Sequence, residues 1–323
     1  MNEHLHIPVM KNEMLAAVAA KPSDVVIDGT FGAGGYSRAI LGGCPTARVI
    51  AFDRDPHVQP LADALAREFP GHFLFMAGRF SAMVDMLASA GIDAVDAIVL
   101  DIGVSSMQFD EDVRGFSFQR EAPLDMRMSA EGMSAADVVN GYGEAELIRI
   151  LREYGEERDA KRITRAIIAA RNLAPITTTR QLAEIIRGAV RGAGKMKIHP
   201  ATKSFQALRI EVNQELAELE AALVAAEQLL KPGGRLVVIT FHSLEDRMVK
   251  KFMQARSQTS AVTSRHSPSA LLENHAAAIA NAFVMTPTKA IAPSEQEVSL
   301  NPRARSAKLR CATRTASPLS HAA

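Results

Sequence analysis

Three aspartates stand directly after short apolar runs, and a glycine-rich turn lies between the first two of them. The runs end at Asp28, Asp53 and Asp101, and the turn, DGTFGAGGYSR, carries Gly34 and Gly35. In a parallel sheet, the carboxyl ends of neighbouring strands line the crevice where nucleotide-like ligands bind. Glycine lets the backbone touch a ligand because it has no Cβ. The pattern predicts an adenosine-type cofactor site in which the Asp53 carboxylate accepts hydrogen bonds from both ribose hydroxyls.

The chemistry around this turn favours S-adenosyl-L-methionine over a dinucleotide. A dinucleotide-binding turn reads G-x-G-x-x-G and holds a pyrophosphate at a helix N-terminus, and this turn matches that pattern poorly. A carboxylate at Asp28 suits a cationic amino acid or a sulfonium and disfavours a diphosphate. The segment LLKPGGR before the apolar run at 236–241 is typical of methyltransferases that use this donor. The glycines, taken alone, have an alternative interpretation as a tight connection between a strand and a helix that binds no ligand.

Composition describes an ordinary globular protein and excludes several classes. Of 323 residues, 47% are hydrophobic and 23% charged, and 37 Lys plus Arg nearly balance 36 Asp plus Glu. Any nucleic-acid contact must therefore come from local basic patches. Cys44 and Cys311 have no CxxC or histidine partner nearby, which disfavours disulfide and zinc frameworks. Because no signal-like or membrane-length apolar run is present, we expect a cytoplasmic protein without metal or membrane contact.

Strand and helix patterns alternate along the N-terminal third of the chain. This alternation predicts an α/β fold with a doubly wound, mostly parallel sheet. Further strands are expected at 72–78 and 97–103. Near the C-terminus, 283–289 and 306–314 predict an antiparallel hairpin that closes the sheet, and a mobile Ser/Ala-rich loop is expected at 254–282.

The strand pattern stops after Asp101, and helical patterns replace it. We expect an all-helical insertion domain over 106–212 that recognises the substrate. It interrupts a catalytic core formed by 1–105 and 213–323. A single long helix is expected from about 201 to 230, with its leucines facing the sheet.

Two stretches contain several basic residues and no acid. The first carries Arg187, Arg191, Lys195, Lys197, Lys203 and Arg209, and the second carries Arg303, Arg305, Lys308, Arg310 and Arg314. Clusters of this kind favour phosphate contacts with RNA. Ordinary solvated surface is the alternative.

Several aromatic residues follow the predicted strand ends and could stack on an unpaired base. They are Phe109, Phe116, Phe118, Phe241 and His242. Core packing is the favoured interpretation for Phe116 and Phe118. Both roles stay open for Phe241 and His242.

A series of longer motifs resembles one family along nearly the whole chain. In order they read HIPVM, DGTFGAGGYSR, FDRDP, DIGVSSMQFD, RGFSF, PLDMRM, YGEER, HPATKSFQALRIEVN, FHSLEDR and NPRARS. Together they resemble the RsmH (MraW) family of 16S rRNA cytosine-N4 methyltransferases. The resemblance implies a class I S-adenosylmethionine-dependent methyltransferase core with a helical insertion domain, acting on one cytidine in the decoding region of 16S rRNA.

The resemblance also implies the positions of the cofactor contacts. They fall on Gly34, Gly35, Tyr36, Asp53, Phe80, Asp101 and Gln108. Two departures from the family pattern are visible. Tyr36 stands where the family usually has histidine, so only a backbone contact carries over there. Met107 replaces a proline, which leaves Gln108 less rigidly placed.

Asp101 is the candidate catalytic residue. As a hydrogen-bond acceptor it would stabilise the positive charge that develops on the cytosine amine, and binding only the amino group of the cofactor is the alternative. We expect 16S rRNA, within the small ribosomal subunit, as partner and a monomer or homodimer. A non-catalytic RNA-binding assembly factor that retains the cofactor pocket is the competing function, and the turn disfavours a nicotinamide oxidoreductase.

Overall fold

The structure is a computed structural model, and it describes residues 8–104, 114–129, 131–196, 198–257 and 282–317. Gln108, Phe109, Lys197 and most of the loop predicted at 254–282 lie outside the described residues. The chain divides into two compact units. The sheet unit comprises Met1–Gly103 with Ala217–Ala323, and the helical unit comprises Val104–Leu216. The sequence predicts 106–212 for the helical part.

The described part of the chain alternates strands and helices before and after a run of helices. The strands are β1 (Val25–Asp28), β2 (Arg48–Asp53), β3 (Phe73–Ala77), β4 (Val95–Asp101), β5 (Leu230–Thr240), β6 (Phe283–Met285) and β7 (Lys308–Arg314). The helices are α1 (Lys11–Val18), α2 (Gly35–Gly43), α3 (Gln59–Glu68), α4 (Met83–Ser89), α5 (Ala135–Gly141), α6 (Glu144–Glu153), α7 (Ala160–Arg171), α8 (Thr179–Ala189), α9 (Thr202–Asn213), α10 (Glu215–Leu229), α11 (Ser243–Ser257) and α12 (Glu295–Leu300).

The seven strands form one sheet in the order β3-β2-β1-β4-β5-β7-β6. The first five pair in parallel, whereas β7 runs antiparallel to both β5 and β6. The doubly wound sheet with an antiparallel C-terminal pair is therefore confirmed. In this order β1 lies between β2 and β4, so Asp28, Asp53 and Asp101 come to one edge of the sheet.

The strands are uninterrupted apolar segments in the sequence because both faces of the sheet are covered. Val26, Ile50, Phe52 and Ile98 are fully buried. Ile50, Phe52 and Ile98 belong to one hydrophobic cluster, which α4, α10 and α11 help to form. Val26 belongs to the cluster on the other face, with residues of α1, α2 and α3. This double burial fixes the strand ends, and with them the three aspartates.

The helical unit has a core of its own, drawn from α5 to α9 and the segment before them. Two of its helices begin with capping boxes, as the Ser-x-x-Asp and Thr-x-x-Gln spacings predict. Ser134 Oγ accepts from the Asp137 N–H, and Thr178 Oγ1 accepts from the Gln181 N–H. Each pairing satisfies backbone donors that the first helical turn leaves free.

The prediction of one helix over 201–230 is wrong. Helix α9 ends at Asn213 and α10 begins at Glu215, because Gln214 adopts the left-handed conformation with φ 53°. The Gln214 side-chain amide donates to the Glu211 carbonyl at 2.6 Å. The C-terminal end of the predicted helix is confirmed, since α10 stops at Leu229, before the Pro-Gly-Gly sequence. None of the described helices combines the length and the apolar character needed to span a membrane.

Candidate active site at the strand ends

The turn between β1 and α2 folds tightly onto its neighbours. Gly34 has φ 76°, and a Cβ there would lie 2.9 Å from the Phe31 ring. A Cβ at Gly29 would lie 2.5 Å from Leu100 Cδ2, and one at Gly35 would lie 2.4 Å from Pro8 Cγ. Glycine is therefore required here for close backbone packing as well as for any approach of a ligand.

Asp53, at the end of β2, is held by two backbone donors. Its Oδ2 accepts from the Gly32 N–H at 2.8 Å, and its Oδ1 accepts from the Asp55 N–H at 2.9 Å. Burial raises the pKa of Asp53, while these two hydrogen bonds oppose the rise. The carboxylate thus ties the glycine turn to the second strand and has a fixed orientation.

Asp28, at the end of β1, is an internal residue. It has no exposed surface, and its oxygens accept from Ser37 Oγ at 2.7 Å and from the Thr30 N–H at 3.3 Å. Burial raises its pKa to about 6. Its hydrogen bonds go to the turn and to α2, so we assign it the role of holding that connection.

Asp101, at the end of β4, differs from the other two aspartates. Its N–H donates to Thr30 Oγ1 at 2.8 Å, but its own buried Oδ1 has no hydrogen-bond partner among the described residues. Burial raises its pKa to about 8, with further contributions from the negative charges of Asp28 and Glu245. Burial therefore disfavours the ionised form of Asp101. This is an unfilled acceptor position at the strand ends.

Tyr36 does more than the backbone contact that the sequence predicts. Its ring is buried in α2, and its hydroxyl donates to the Val9 carbonyl at 2.5 Å. Burial raises the tyrosine pKa well above its usual value, and the negative charges of Asp101 and Asp28 add to the rise. Tyr36 thereby ties α2 to the N-terminal segment.

Phe80 lies beside the glycine turn, at the start of a short 3-10 helix after β3. A Cβ at Gly29 would be 3.5 Å from Phe80 Cβ. The ring is partly buried against the core cluster of the sheet unit. The structure therefore brings six of the seven predicted cofactor contacts to the same strand ends, and Gln108 is outside the described residues.

Glu245 was missed by the sequence analysis, although the FHSLED motif contains it. It is fully buried, and its Oε2 accepts from the Phe241 and His242 N–H groups at 2.8 and 3.1 Å. His242 Nε2 lies 2.9 Å from Glu245 Oε1, yet neither atom makes a hydrogen bond of good geometry with a described residue. The carboxylate shapes the turn that leaves β5. The signal available in the sequence was an acid in the first turn of the helix that follows β5, where backbone N–H groups lack helical partners.

The aromatic residues of the helical unit pack in its interior, as favoured from the sequence. Phe116 is buried in the core of that unit. Phe118 stacks on His199 with ring centroids 4.5 Å apart and meets Phe205 edge-on at 4.9 Å. In the sheet unit, Phe241 packs against the core. These contacts account for Phe116 and Phe118 without a bound base.

Several cations of the first basic run have hydrogen-bond or ion-pair partners that its local composition does not show. Arg209 forms a two-bond pair with Glu215, both bonds at 2.8 Å, and its side chain is 15% exposed. Lys203 Nζ donates to a backbone carbonyl at 3.1 Å. Arg187 and Arg191 also pair with acids, but their side chains are largely exposed, and such surface pairs hold the guanidinium weakly. The expectation of phosphate contact survives best for Arg187 and Arg191.

The second basic run is mostly structural. Arg310 Nε and Lys308 Nζ contact the Asp246 carboxylate of α11 at 2.7 and 2.9 Å. These cations lower the pKa of Asp246. Arg314 is buried and donates to the Ala282 carbonyl at 3.1 Å. These contacts attach β7 to its surroundings, and RNA contact by this run stays a prediction.

A family model described as the MraW methylase family matches residues 3–315 of the chain. The "Ribosomal RNA small subunit methyltransferase H" of Caulobacter vibrioides (strain NA1000 / CB15N) is 53% identical over 319 residues, covering 98% of both chains. The protein of the same name from Methylobacterium sp. (strain 4-46) is 51% identical over 314 residues, covering 97% of this chain and 92% of that one.

The solved structures that the chain matches are far more distant in sequence. An rRNA methylase from Streptococcus thermophilus has 10% identity and a TM-score of 0.38, with 95% of both chains covered. The N-methyltransferase NodS from Bradyrhizobium japonicum WM9 has 9% identity and a TM-score of 0.39, with 94% of both chains covered.

Proposed function

Because this chain belongs to the MraW methylase family, we propose that it transfers a methyl group from S-adenosyl-L-methionine to the N4 amine of one cytidine in the decoding region of 16S rRNA. The observation that carries the proposal is the unfilled acceptor position of Asp101, which lies beside the glycine turn. The relatives named ribosomal RNA small subunit methyltransferase H, at more than half identity over nearly their full length, support the choice of rRNA.

The residues at the strand ends fit this cofactor. Gly34 and Gly35 form the side-chain-poor turn, Asp53 is fixed by backbone donors for the ribose hydroxyls, and Phe80 lies beside the turn for the adenine. Asp101 offers a buried oxygen to the positively charged methionine end. When bound, the cofactor supplies an electrophilic methyl group on a sulfonium.

The target amine is a poor nucleophile because its lone pair is delocalised into the pyrimidine ring. The protein must hold the nitrogen in line with the methyl group at near-attack distance, and such positioning is worth several kcal/mol. The Asp101 oxygen can accept a hydrogen bond from the amine as positive charge develops there. A carboxylate is too weak a base to deprotonate the neutral amine, so the proton leaves after the transfer.

Recognition of the RNA is assigned to the helical unit, Val104–Leu216. Arg187 and Arg191, with largely exposed guanidinium groups, are the phosphate contacts that its described residues best support. Phosphate contacts fix the register of an RNA without reading its sequence.

The test is methyl transfer from tritiated S-adenosylmethionine to small-subunit rRNA, offered free and in assembled subunits, followed by mass spectrometry of the nucleosides. We expect N4-methylcytidine at one position. Asp101→Asn should lower the rate about 100-fold or more at saturating cofactor, whereas Asp85→Asn, an exposed aspartate of α4, should match the wild type. RNA binding without any methyl transfer would instead support the assembly-factor alternative, and a methyl group on another atom would refute the assignment of N4.

A further inference from the structure

Phe241 is the first residue after β5, and it lies beside the end of β4. Asp101 pairs with Ile239 across these two parallel strands, and the Ile102 N–H donates to the Ile239 carbonyl at 2.9 Å. Continued by two residues, this register brings Gly103 beside Phe241, and a Cβ at Gly103 would lie 3.5 Å from Phe241 Cδ2. Gly103 has φ 133°, a conformation that favours glycine. The phenyl ring therefore lies against a turn that has no side chain at the point of contact.

Phe241 and Asp101 belong to the same face of the sheet. Successive side chains of a strand point to opposite faces. Val237 and Ile239 lie on the face that α1, α2 and α3 cover, and Phe241 continues their row. Asp101, as the partner of Ile239, belongs to the same row of β4. With a rise of about 3.3 Å per residue and strands about 4.8 Å apart, the Cα atoms of Phe241 and Asp101 are about 8 Å apart. A pyrimidine whose amine meets Asp101 therefore has its ring within reach of the phenyl group.

Phe241 differs from the other residues of its row in exposure. Val237 and Ile239 have no exposed surface, whereas Phe241 is half-buried. The three residues that follow Asp101 in the chain carry no aromatic ring. Aromatic side chains at the edge of a sheet bind unpaired bases by stacking, because every base has a flat face that excludes water on contact. Phe241 has the side chain and the place for such a contact.

Glu245 fixes the backbone on which this ring is carried. Strand β5 ends at Thr240, so the N–H groups that follow need partners outside the sheet. Glu245 Oε2 accepts from the Phe241 N–H at 2.8 Å and from the His242 N–H at 3.1 Å, and the glutamate is fully buried. Hydrogen bonds to a carboxylate are stronger than those between neutral groups. The ring of Phe241 is therefore held in place by the fold before any RNA binds.

We propose that Phe241 is the face on which the target cytosine stacks, and that Glu245 is the positioning residue that holds it there. This inference rests on the proposed function, because it takes the N4 amine of an unpaired cytosine as the group that meets Asp101. It adds the residue that orients the base during the transfer. Neither side chain makes or breaks a covalent bond, and the contribution of both is to hold the acceptor nitrogen in line with the methyl group.

The test compares Phe241→Leu with the wild type in methyl transfer from S-adenosylmethionine to small-subunit rRNA. Leucine keeps an apolar side chain against the turn and removes the flat ring. The rate at saturating rRNA should fall about tenfold, because the stacking contact is lost. The KM for rRNA should change little, since phosphate contacts supply most of the affinity. Phe241→Tyr keeps the ring and should retain the wild-type rate, and calorimetry should give both variants the wild-type affinity for S-adenosylmethionine.

Phe252→Leu is the matched control. Phe252 is a half-buried aromatic residue of α11 in the same unit, and its ring centroid lies 6.1 Å from that of Phe283. This variant should lose stability in thermal unfolding and keep the wild-type rate. Glu245→Ala should reproduce the loss of rate seen in Phe241→Leu, and adding Phe241→Leu to it should cost little more. Glu245→Gln should recover most of the rate, because the amide oxygen still accepts both N–H groups.

A measurement on the wild type needs no variant to fold. An rRNA fragment with 5-iodocytidine at the methylated position, irradiated in the complex, should cross-link to Phe241, and mass spectrometry of the peptides locates the bond. Cross-links confined to other residues would overturn the inference.

The outcomes separate this inference from the proposed function. A Phe241→Leu protein with the wild-type rate, or one that loses only affinity for S-adenosylmethionine, would overturn the inference and leave the methyltransferase proposal intact. Equal losses of rate in Phe241→Leu and Phe252→Leu would also overturn it, because the effect would then come from the fold. Absence of transfer by the wild type, to free rRNA and to assembled subunits alike, would refute both.

Discussion

Replacement of Asp101 by asparagine should change the pH dependence of stability even when no ligand is present. Burial raises the pKa of Asp101 to about 8 in the folded protein, against an ordinary value of 3.8. An acid with a raised folded pKa stabilises the protein below its unfolded pKa, and this contribution is lost as pH rises through the folded pKa. Between pH 5 and 7 the folded state holds one proton more than the unfolded state, so the free energy of unfolding falls by about 1.4 kcal/mol per pH unit from this residue.

Asp101→Asn keeps the shape of the protonated acid but cannot ionise. Over these two pH units the wild type should therefore lose about 3 kcal/mol more stability than the variant. Urea unfolding followed by far-ultraviolet circular dichroism suits a chain without tryptophan. Contributions from the other titrating groups cancel in the comparison, and Asp85→Asn should run parallel to the wild type. If the free energy of unfolding falls with pH at the same rate in Asp101→Asn and in the wild type, Asp101 is ionised in the free protein and the reasoning is refuted.

Two further substitutions test how the site is supported. Gly35→Ala should destabilise the protein by about 1–3 kcal/mol, because its Cβ would lie 2.4 Å from Pro8. Gly42→Ala, in the same helix with open space around it, should be neutral or stabilising, and thermal unfolding compares the two. Arg209→Met should cost about 3–5 kcal/mol in urea unfolding, since it leaves the buried Glu215 carboxylate without its two-bond partner; a loss below 1 kcal/mol would show that Glu215 is solvated or neutral.

The positions of the three strand ends could be predicted from the sequence because parallel strands buried on both faces are uninterrupted apolar runs. Each run stops at an aspartate, where the strand ends and a turn begins. The antiparallel pair was also predictable from the apolar segments around Phe283 and Leu309. The strand order could not be predicted from these segments, because β7 lies between β5 and β6 in the sheet.

The break at Gln214 could not be predicted. The residues on both sides carry helical patterns, and glutamine is a good helix former. No signal in the local sequence, such as glycine, marks its left-handed conformation.

The basic runs show a related limit of local composition. A stretch without acids does not present uncompensated charge when its partners come from elsewhere in the chain. Arg310 is neutralised by Asp246 of α11, a residue distant in sequence, and Arg209 by Glu215 just beyond the run. Charge patterns indicate nucleic-acid contact only for residues whose side chains remain exposed, such as Arg187 and Arg191.

The supply of hydrogen-bond donors separates the three strand-end aspartates, which the sequence shows as equivalent. Asp53 receives two backbone N–H groups, and Asp28 receives a hydroxyl and a backbone N–H. Asp101 keeps one oxygen without a donor from the described residues, and its pKa of about 8 is above the value of about 6 for Asp28. A buried carboxyl whose donors come from the fold is already satisfied and serves the fold. The aspartate that the fold leaves without a donor is the one for which binding a positively charged group gains most, so Asp101 is where a cationic ligand and the chemistry are expected to meet.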